Sequence, residues 1–376
     1  MAGFTVVVPT LGRPSLYELV DVLGERADLL VVDDRQDPGT PLGLPAHVRV
    51  LPGRAAGPAA ARNTGWRAAS TEWVVFLDDD VVPDWDWPER VAADLRDAGP
   101  EVGGVQGTLR VPLPADRRPT DWERVTAGLA DGEWITADMA YRRAALDRTG
   151  GFDERLPRAF REDAELAHRV RQAGWELRRG NRRVTHPVRP ESRWVSVRTQ
   201  RGNADDALLR HLYGPRWRAV LEVPPGRRHR HVAVTAAAAV ALTATTARLV
   251  TGRRAGTAVA ALAGAAWLAG TAEFAAARIA PGPRDRREVT TMLLTSAAIP
   301  PVATAHWLRG WWRWRGAEPV RATEPECVTE PERAAEPVRD VDPVRSAGSE
   351  LGAEPAAGAR PGPAAATGRQ QVGARR

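Results

Sequence analysis

Trp73-Val74-Val75-Phe76-Leu77 runs without interruption into Asp78-Asp79-Asp80. Five apolar residues in a row read as a short strand covered on both faces, the pattern of a central strand in a parallel sheet. Carboxylates cannot follow that strand into the core unpaired. The three aspartates are therefore expected at its carboxyl end, and in an open α/β sheet that edge is where ligands bind. Aspartates on a short loop also offer hard oxygen ligands to a divalent cation. A solvated acidic turn has the same local sequence, so the neighbouring segments have to decide.

Those segments repeat the pattern. Phe4–Val8 is a β-branched run closed by Pro9, Leu29–Val32 ends on Asp33-Asp34, and Val48–Leu51 is closed by Pro52-Gly53. Each reads as a strand. Between them, Ser15 can cap a helix beginning near Leu16, and Gly57–Ala69 reads as a helix with Pro58 in its first turn. Strands alternating with helices predict an α/β fold with a Rossmann-like, mostly parallel central sheet. Further along, the spacing predicts helices over 88–98, 142–148 and 162–172. Strands are expected over 102–110, 175–178 and 183–186, and a helix-rich segment over 195–213 before Pro224-Pro225-Gly226.

The chain has 376 residues, of which 43% are hydrophobic, enough for a packed core, and a net charge of +6. Every basic side chain apart from the histidines is Arg. A basic balance fits nucleic acid, an anionic membrane or phosphate-bearing substrates, and does not choose among them. Cys327 is the sole cysteine, which excludes an intrachain disulfide and argues against a Cys-based metal site. The start, Met1-Ala2-Gly3-Phe4-Thr5-Val6, has no basic segment leading into a long apolar one, so no secretory leader is expected.

The composition changes after Arg227-Arg228-His229-Arg230-His231. Residues 232–250, 255–280 and 289–308 are three Ala-, Val- and Thr-rich runs, each about the ~20 residues that a membrane helix needs; Pro300-Pro301 predicts a break in the third. Trp307, Trp311, Trp312 and Trp314 then alternate with Arg309, Arg313 and Arg315, which suits a membrane interface. Directly after an apolar run that partner is favoured over nucleic acid. From residue 317 onward, Glu-Pro and Asp-Pro pairs recur with little apolar matter, a composition that predicts disorder. The expected division is a catalytic domain over 1–225, membrane-associated helices over 226–316 and a tail over 317–376.

Taken in order, Val8-Pro9-Thr10, Ala61-Arg62-Asn63-Thr64-Gly65, Phe76–Asp80 and Gly150-Gly151-Phe152-Asp153-Glu154 followed by Glu162-Asp163 resemble the family-2 glycosyltransferases. These are inverting sugar transferases with the GT-A fold, and the likeness covers roughly 4–214. The resemblance implies a nucleotide-diphosphate sugar as donor, a hydroxyl acceptor, and a divalent metal, Mn²⁺ or Mg²⁺. It implies Asp163 as the base, with Glu162 beside it. Asp80 is expected on the metal, with Asp78 either beside it or on the nucleotide ribose, and His186 as a further metal or phosphate contact. Pro9, Thr10, Asp33 or Asp34, Arg62, Asn63 and Asp79 are expected around the nucleotide sugar, Asp34 ahead of Asp33 because it lies beyond the strand end. Two departures stand out. Asp138 occupies a position that is more often uncharged, which bears on the acceptor pocket. The Gln-x-x-Arg-Trp signature of processive members is missing near Gln200-Arg201-Gly202, which predicts transfer of one sugar. The expected acceptor is a lipid-linked or cell-envelope glycan precursor at the membrane, with the catalytic domain on the cytoplasmic side. A sugar nucleotidyltransferase would need a longer Gly-rich loop after the first strand than Leu11-Gly12-Arg13-Pro14. An inactive membrane scaffold would lack part of the acidic set.

Overall fold

The computed structural model describes residues 3–252 and 255–320. The expected tail falls almost wholly outside those residues. In chain order the elements are β1 (Phe4–Thr10), α1 (Ser15–Leu23), β2 (Asp28–Asp33), β3 (Arg49–Pro52), α2 (Pro58–Ala68), β4 (Trp73–Leu77), β5 (Val82–Pro83), α3 (Trp87–Arg96), β6 (Val102–Arg110) and α4 (Asp121–Ala127). They continue with β7 (Asp138–Arg142), α5 (Arg143–Thr149), α6 (Glu162–Gln172), β8 (Glu176–Thr185), α7 (Val195–Arg198), α8 (Asn203–Tyr213), α9 (Trp217–Val220), α10 (Arg228–Thr251), α11 (Ala255–Ile279) and α12 (Arg286–Arg313).

The strands form one eight-stranded sheet in the order β3-β2-β1-β4-β7-β6-β8-β5. β3, β2, β1 and β4 are parallel, and β6 and β8 are parallel to each other; β7 and β5 run the opposite way. This is the mixed α/β sheet expected, with one insertion. β7 lies antiparallel between β4 and β6, pairing Leu77 with Asp138 and Trp73 with Arg142. The expected pair of strands over 175–178 and 183–186 is a single strand, β8, carried through Gly180 along β6. α4 opens on Thr120-Asp121-Trp122-Glu123, a capping box whose sequence signature was available and unused.

Alternation along the strands builds a core on each face. Val6, Val8, Leu29, Val31, Trp73, Val75 and Leu77 pack on one side with α1 and α3. Val7, Leu30, Val32, Val74 and Phe76 pack on the other with α2, α5 and α6. Every residue of β4 is buried, as its composition requires. A third cluster joins Leu156 and Ala164 to Leu208, Leu209, Trp217 and Leu221.

α10 and α11 pack against each other, and both are long and apolar enough to cross a membrane by length and composition. Almost none of either apolar window is buried inside the protein. The third apolar run behaves differently. As α12 it continues through Pro300-Pro301, where a break is expected, and buries Thr291, Met292, Thr295, Ile299 and Ala303. A helix held by tertiary packing along one face tolerates the backbone N–H that each proline removes. α12 also packs closely on α8, where a Cβ on Gly310 would collide with the Ala204 backbone. Arg278 ties α11 to the sheet domain through Asp121 Oδ2 at 2.7 Å and Ser196 Oγ at 3.0 Å, and to α12 through Thr295 Oγ1 at 2.8 Å.

Gly65 on α2 lies directly over β1 and β2, and a Cβ there would overlap Val7 Cγ1 and crowd Val32 Cγ2. Both obstacles are β-branched and stiff. Gly65→Ala is expected to cost about 1–3 kcal/mol by overpacking, read as a lower midpoint in chemical denaturation; an unchanged midpoint contradicts this packing.

Candidate active site

The carboxyl ends of β1, β2 and β4 open into a cleft of about 790 Å³. Pro9, Thr10, Asp34, Arg62, Asp78, Asp79, Asp80, Glu162, Asp163 and His186 all line it. Residues separated by up to 177 positions in the chain thus meet at one sheet edge.

At the first strand ends, Asp33 and Asp34 part company. Asp33 turns to Arg35, whose Nε and a terminal nitrogen donate at 2.8 and 2.7 Å. Those bonds hold its carboxyl below the usual range. Asp33 does not line the cleft, whereas Asp34 does. Asp34 accepts the backbone N–H groups of Arg54 (3.1 Å) and Gly57 (2.9 Å), and so fixes the loop entering α2. Gly57 is required there: its φ is 96°, and a Cβ would collide with the Pro157 carbonyl. The Thr10 hydroxyl donates to Asp79 Oδ2 at 2.7 Å and accepts from Gly12 N at 2.9 Å. Pro9 and Thr10 therefore offer the cleft mainly backbone and ring surface.

The three aspartates after β4 take three directions. Asp79 turns back to Thr10 and to Arg13, 2.5 Å from Oδ1, and ties the β1 loop to β4. Asp78 accepts from Arg62 at 2.7 Å. Asp80 meets Arg189 Nε at 2.9 Å and lies 3.6 Å from His186 Nε2. Burial, reinforced by Asp78, pushes the Asp80 carboxyl above its usual range against the pull of His186 and Arg189. His186 Nδ1 is 3.1 Å from the Pro187 carbonyl oxygen, which only accepts, so the ring proton belongs on Nδ1. Nε2 faces the Asp80 side. Arg189 was not anticipated; a basic residue three positions beyond His186 was the available signal.

Arg62 is buried, at 1% exposure, and bridges two acids. It reaches Asp78 at the sheet edge and Glu162 Oε1, 2.9 Å away, at the start of α6. Glu162 is also buried, and its Oε2 has no hydrogen-bond partner. Burial, with Asp163 adjacent, pushes Glu162 up to about 8. Asp163 is partly exposed to the cleft, accepts from Ala164 N at 2.7 Å, and is likewise raised by burial. Arg161 just before them holds a left-handed φ of 75°, the strained position from which the helix begins.

Two expected positions lie elsewhere. Asn63 is fully buried away from the cleft wall and spends its amide on packing: Oδ1 accepts from Trp66 Nε1 and Phe152 N, and Nδ2 donates to the Phe152 carbonyl and to Glu154, all at 2.9 Å. It fastens the Gly150–Glu154 segment to α2, so that α6 follows at the right height. Asp138 is not in the acceptor pocket. It lies in the core, where Arg182 Nε (2.7 Å) and Trp87 Nε1 (2.9 Å) donate to it, with Asp94 on the same guanidinium. Its charge is explained by Arg182 on β8.

Among the described residues no cluster of three or more His, Cys, Asp or Glu stands ready to hold a metal ion. The donor chemistry at Asp80 and His186 nevertheless fits a divalent cation. One carboxylate, raised chiefly by burial, lies beside an imidazole nitrogen in the same cleft. Two protein donors leave coordination positions for substrate oxygens.

The fold and the site define an α/β domain whose ligand cleft opens at the carboxyl edge of its sheet. Residues 5–136 match the model of the family "Glycosyl transferase family 2". The pre-mycofactocin glycosyltransferase of Mycobacterium tuberculosis, in strains CDC 1551 and H37Rv alike, is 30% identical over 230 residues, covering 55% of this chain and 48% of that protein. The chain thus spans about half the length of the curated relatives it matches. Among solved structures, glucosyl-3-phosphoglycerate synthase from M. tuberculosis, crystallised with Mn²⁺, UDP-glucose and phosphoglyceric acid, overlaps 60% of this chain and 81% of its own. That overlap has 16% identity and a TM-score of 0.41. S. aureus TarS overlaps 58% of this chain and 42% of its own at 18% identity, with a TM-score of 0.35.

The buried Glu162 has a measurable consequence. Its folded value of about 8 lies above the ordinary 4.5, so the folded state keeps a proton that the unfolded chain releases between those values. The resulting stability is complete below the lower value and is lost as pH rises through the upper one. Relative to Glu162→Gln, the wild type is expected to lose stability between pH 5.5 and 8, read as denaturation midpoints at the two pH values. Parallel pH dependence in the two proteins contradicts a raised Glu162.

Proposed function

We propose that the chain is a metal-dependent, inverting glycosyltransferase that moves one sugar from a nucleoside-diphosphate sugar to a hydroxyl acceptor at a membrane. The observation that carries this reading is the convergence of Asp34, Asp80 and Asp163 on one cleft of a family 2 domain. In this reading Asp34 and the backbone of Pro9 and Thr10 take the nucleotide. Asp80 and His186 hold the cation, with Asp78 close by, and Arg189 contacts the diphosphate. When bound, a divalent cation supplies Lewis-acid stabilisation to the departing diphosphate. Asp163 accepts the proton of the acceptor hydroxyl as its oxygen bonds the anomeric carbon and the carbon–oxygen bond to the diphosphate breaks on the opposite face. A carboxylate raised above its usual range is a stronger base near neutral pH than a solvated one. Glu162, held by Arg62, positions Asp163.

The membrane part rests on α10 and α11. Twenty-four residues of α10 span about 36 Å at 1.5 Å per residue, beyond the ~30 Å of a bilayer core. Leu242, Leu249, Val250, Leu262 and Leu268 are exposed along the pair, an apolar surface that lipid would cover. The proposed division is a catalytic domain over 1–225 on the cytoplasmic face, followed by the membrane-associated helices. A lipid-linked or envelope glycan precursor is the acceptor source such a location favours.

Release of nucleoside diphosphate from a panel of nucleotide sugars is expected to require Mn²⁺ or Mg²⁺ and to stop on chelation. Asp163→Asn should lower transfer by about 10²–10⁴ while nucleoside-diphosphate binding persists; full transfer by that variant removes Asp163 as the base. The full-length chain should also stay with membranes through an alkaline carbonate wash. Its release into the wash contradicts embedded helices.

A further inference from the structure

A second group of charged residues lines the same cleft: Arg161, Asp206, Arg218, Arg227, Arg228 and His231. Asp206 is the only carboxylate of that group. Its Oδ2 accepts from the Arg218 guanidinium, while the enclosed Oδ1 has no partner. Arg227 is already matched by Glu273. Among the described residues, Arg161 and Arg228 have no carboxylate at ion-pair distance. Their guanidinium groups lie over the Phe160 and Trp307 rings at 4.7 and 4.9 Å, and Arg161 Nε is enclosed without a partner. Burial, and the proximity of Arg161, pull the Arg218 guanidinium below its ordinary value despite Asp206.

Three guanidinium groups, on Arg161, Arg218 and Arg228, thus share the Asp206 carboxylate, with Asp163 the further acid that Arg161 feels, so positive charge remains in excess in a partly desolvated recess. Such an excess is costly unless a ligand supplies the counter-charge. A phosphate monoester carries about −1.5 to −2 near neutral pH, and guanidinium forks match its oxygens better than any other side chain does. Arg161 directly precedes Glu162-Asp163, so an anion held there lies beside the proposed base.

We propose that Arg161, Arg218 and Arg228, with the free oxygen of Asp206, form an acceptor subsite that selects an acceptor carrying a phosphate monoester near the hydroxyl to be glycosylated. Asp206 Oδ1 accepts a second hydroxyl of the same molecule. The inference rests on the glycosyl-transfer reading and narrows its acceptor. A lipid headgroup and a soluble sugar or polyol phosphate share this chemistry.

The test is calorimetric titration of the full-length chain in detergent micelles, with and without saturating nucleoside diphosphate and Mn²⁺. One arm titrates glycerol 1-phosphate, with neutral glycerol as the control. The other titrates phosphatidate in mixed micelles. Binding in either arm, weakened at least tenfold in the Arg161→Gln/Arg228→Gln protein, supports the subsite, and the arm that binds identifies the soluble or lipid source. No binding in either arm, or equal binding by wild type and variant, overturns it. Retained nucleoside-diphosphate binding by the variant reports an intact fold. Failure of the wild type to bind nucleoside diphosphate counts against the glycosyl-transfer reading instead, since the nucleotide-free titrations still decide the phosphate question.

Discussion

The ion pairs of Arg62 with Asp78 and Glu162 hold the two halves of the cleft in register. A guanidinium at 1% exposure is held in the core by the Asp78 carboxylate and by the Glu162 carboxyl oxygen, both of which accept from it. One belongs to the loop after β4, the other to the first turn of α6. Removing either partner would leave buried charge, so the sheet edge and the helix that carries Asp163 are fixed to each other electrostatically as well as by packing. Asn63, one residue on, secures the same junction through three hydrogen bonds, each at 2.9 Å, to the segment that leads into α6. Neighbouring residues of one helical turn thereby set the distance across the cleft.

The rest of the structure follows from where that junction sits. β1, β2 and β4 bury both faces, so their polar termini can only be displayed at the ends. Thr10 and Asp79 cross-link two of those ends, and Asp34 holds the loop into α2. α8 packs on α6, and α12 packs on both α8 and α10, so the same cleft runs from the strand ends to the start of α10.

Much of this was legible from residue order, and the failures have a common cause. Unbroken apolar runs located β1, β2 and β4 because covering both faces leaves little freedom in composition. The helix 162–172 was equally plain from Leu166 and Val170 on one face and Gly174 after it. What spacing could not reveal was side-chain direction beyond a strand end. Asp33 and Asp34 differ by one residue, yet Arg35 draws the first away while two backbone amides hold the second at the cleft. Asp79 lines the cleft as expected, and its ties to Thr10 and Arg13 are what spacing does not show. Asp138 was read toward the acceptor because β7 was not expected; once that strand pairs with β4, the aspartate must point into the core, and Arg182 on the distant β8 supplies its partner. Pro300-Pro301 misled for the same reason, since tertiary packing overrode a local signal.

In the proposed mechanism a base on α6 and a leaving group bound at the end of β4 act from opposite faces of the sugar. The anomeric configuration of the glycosidic product, read from its anomeric proton coupling by nuclear magnetic resonance, decides this. An α-linked nucleotide sugar should yield a β-linked product. An α-linked product would contradict the placement of Asp163 opposite Asp80 and with it the mechanism.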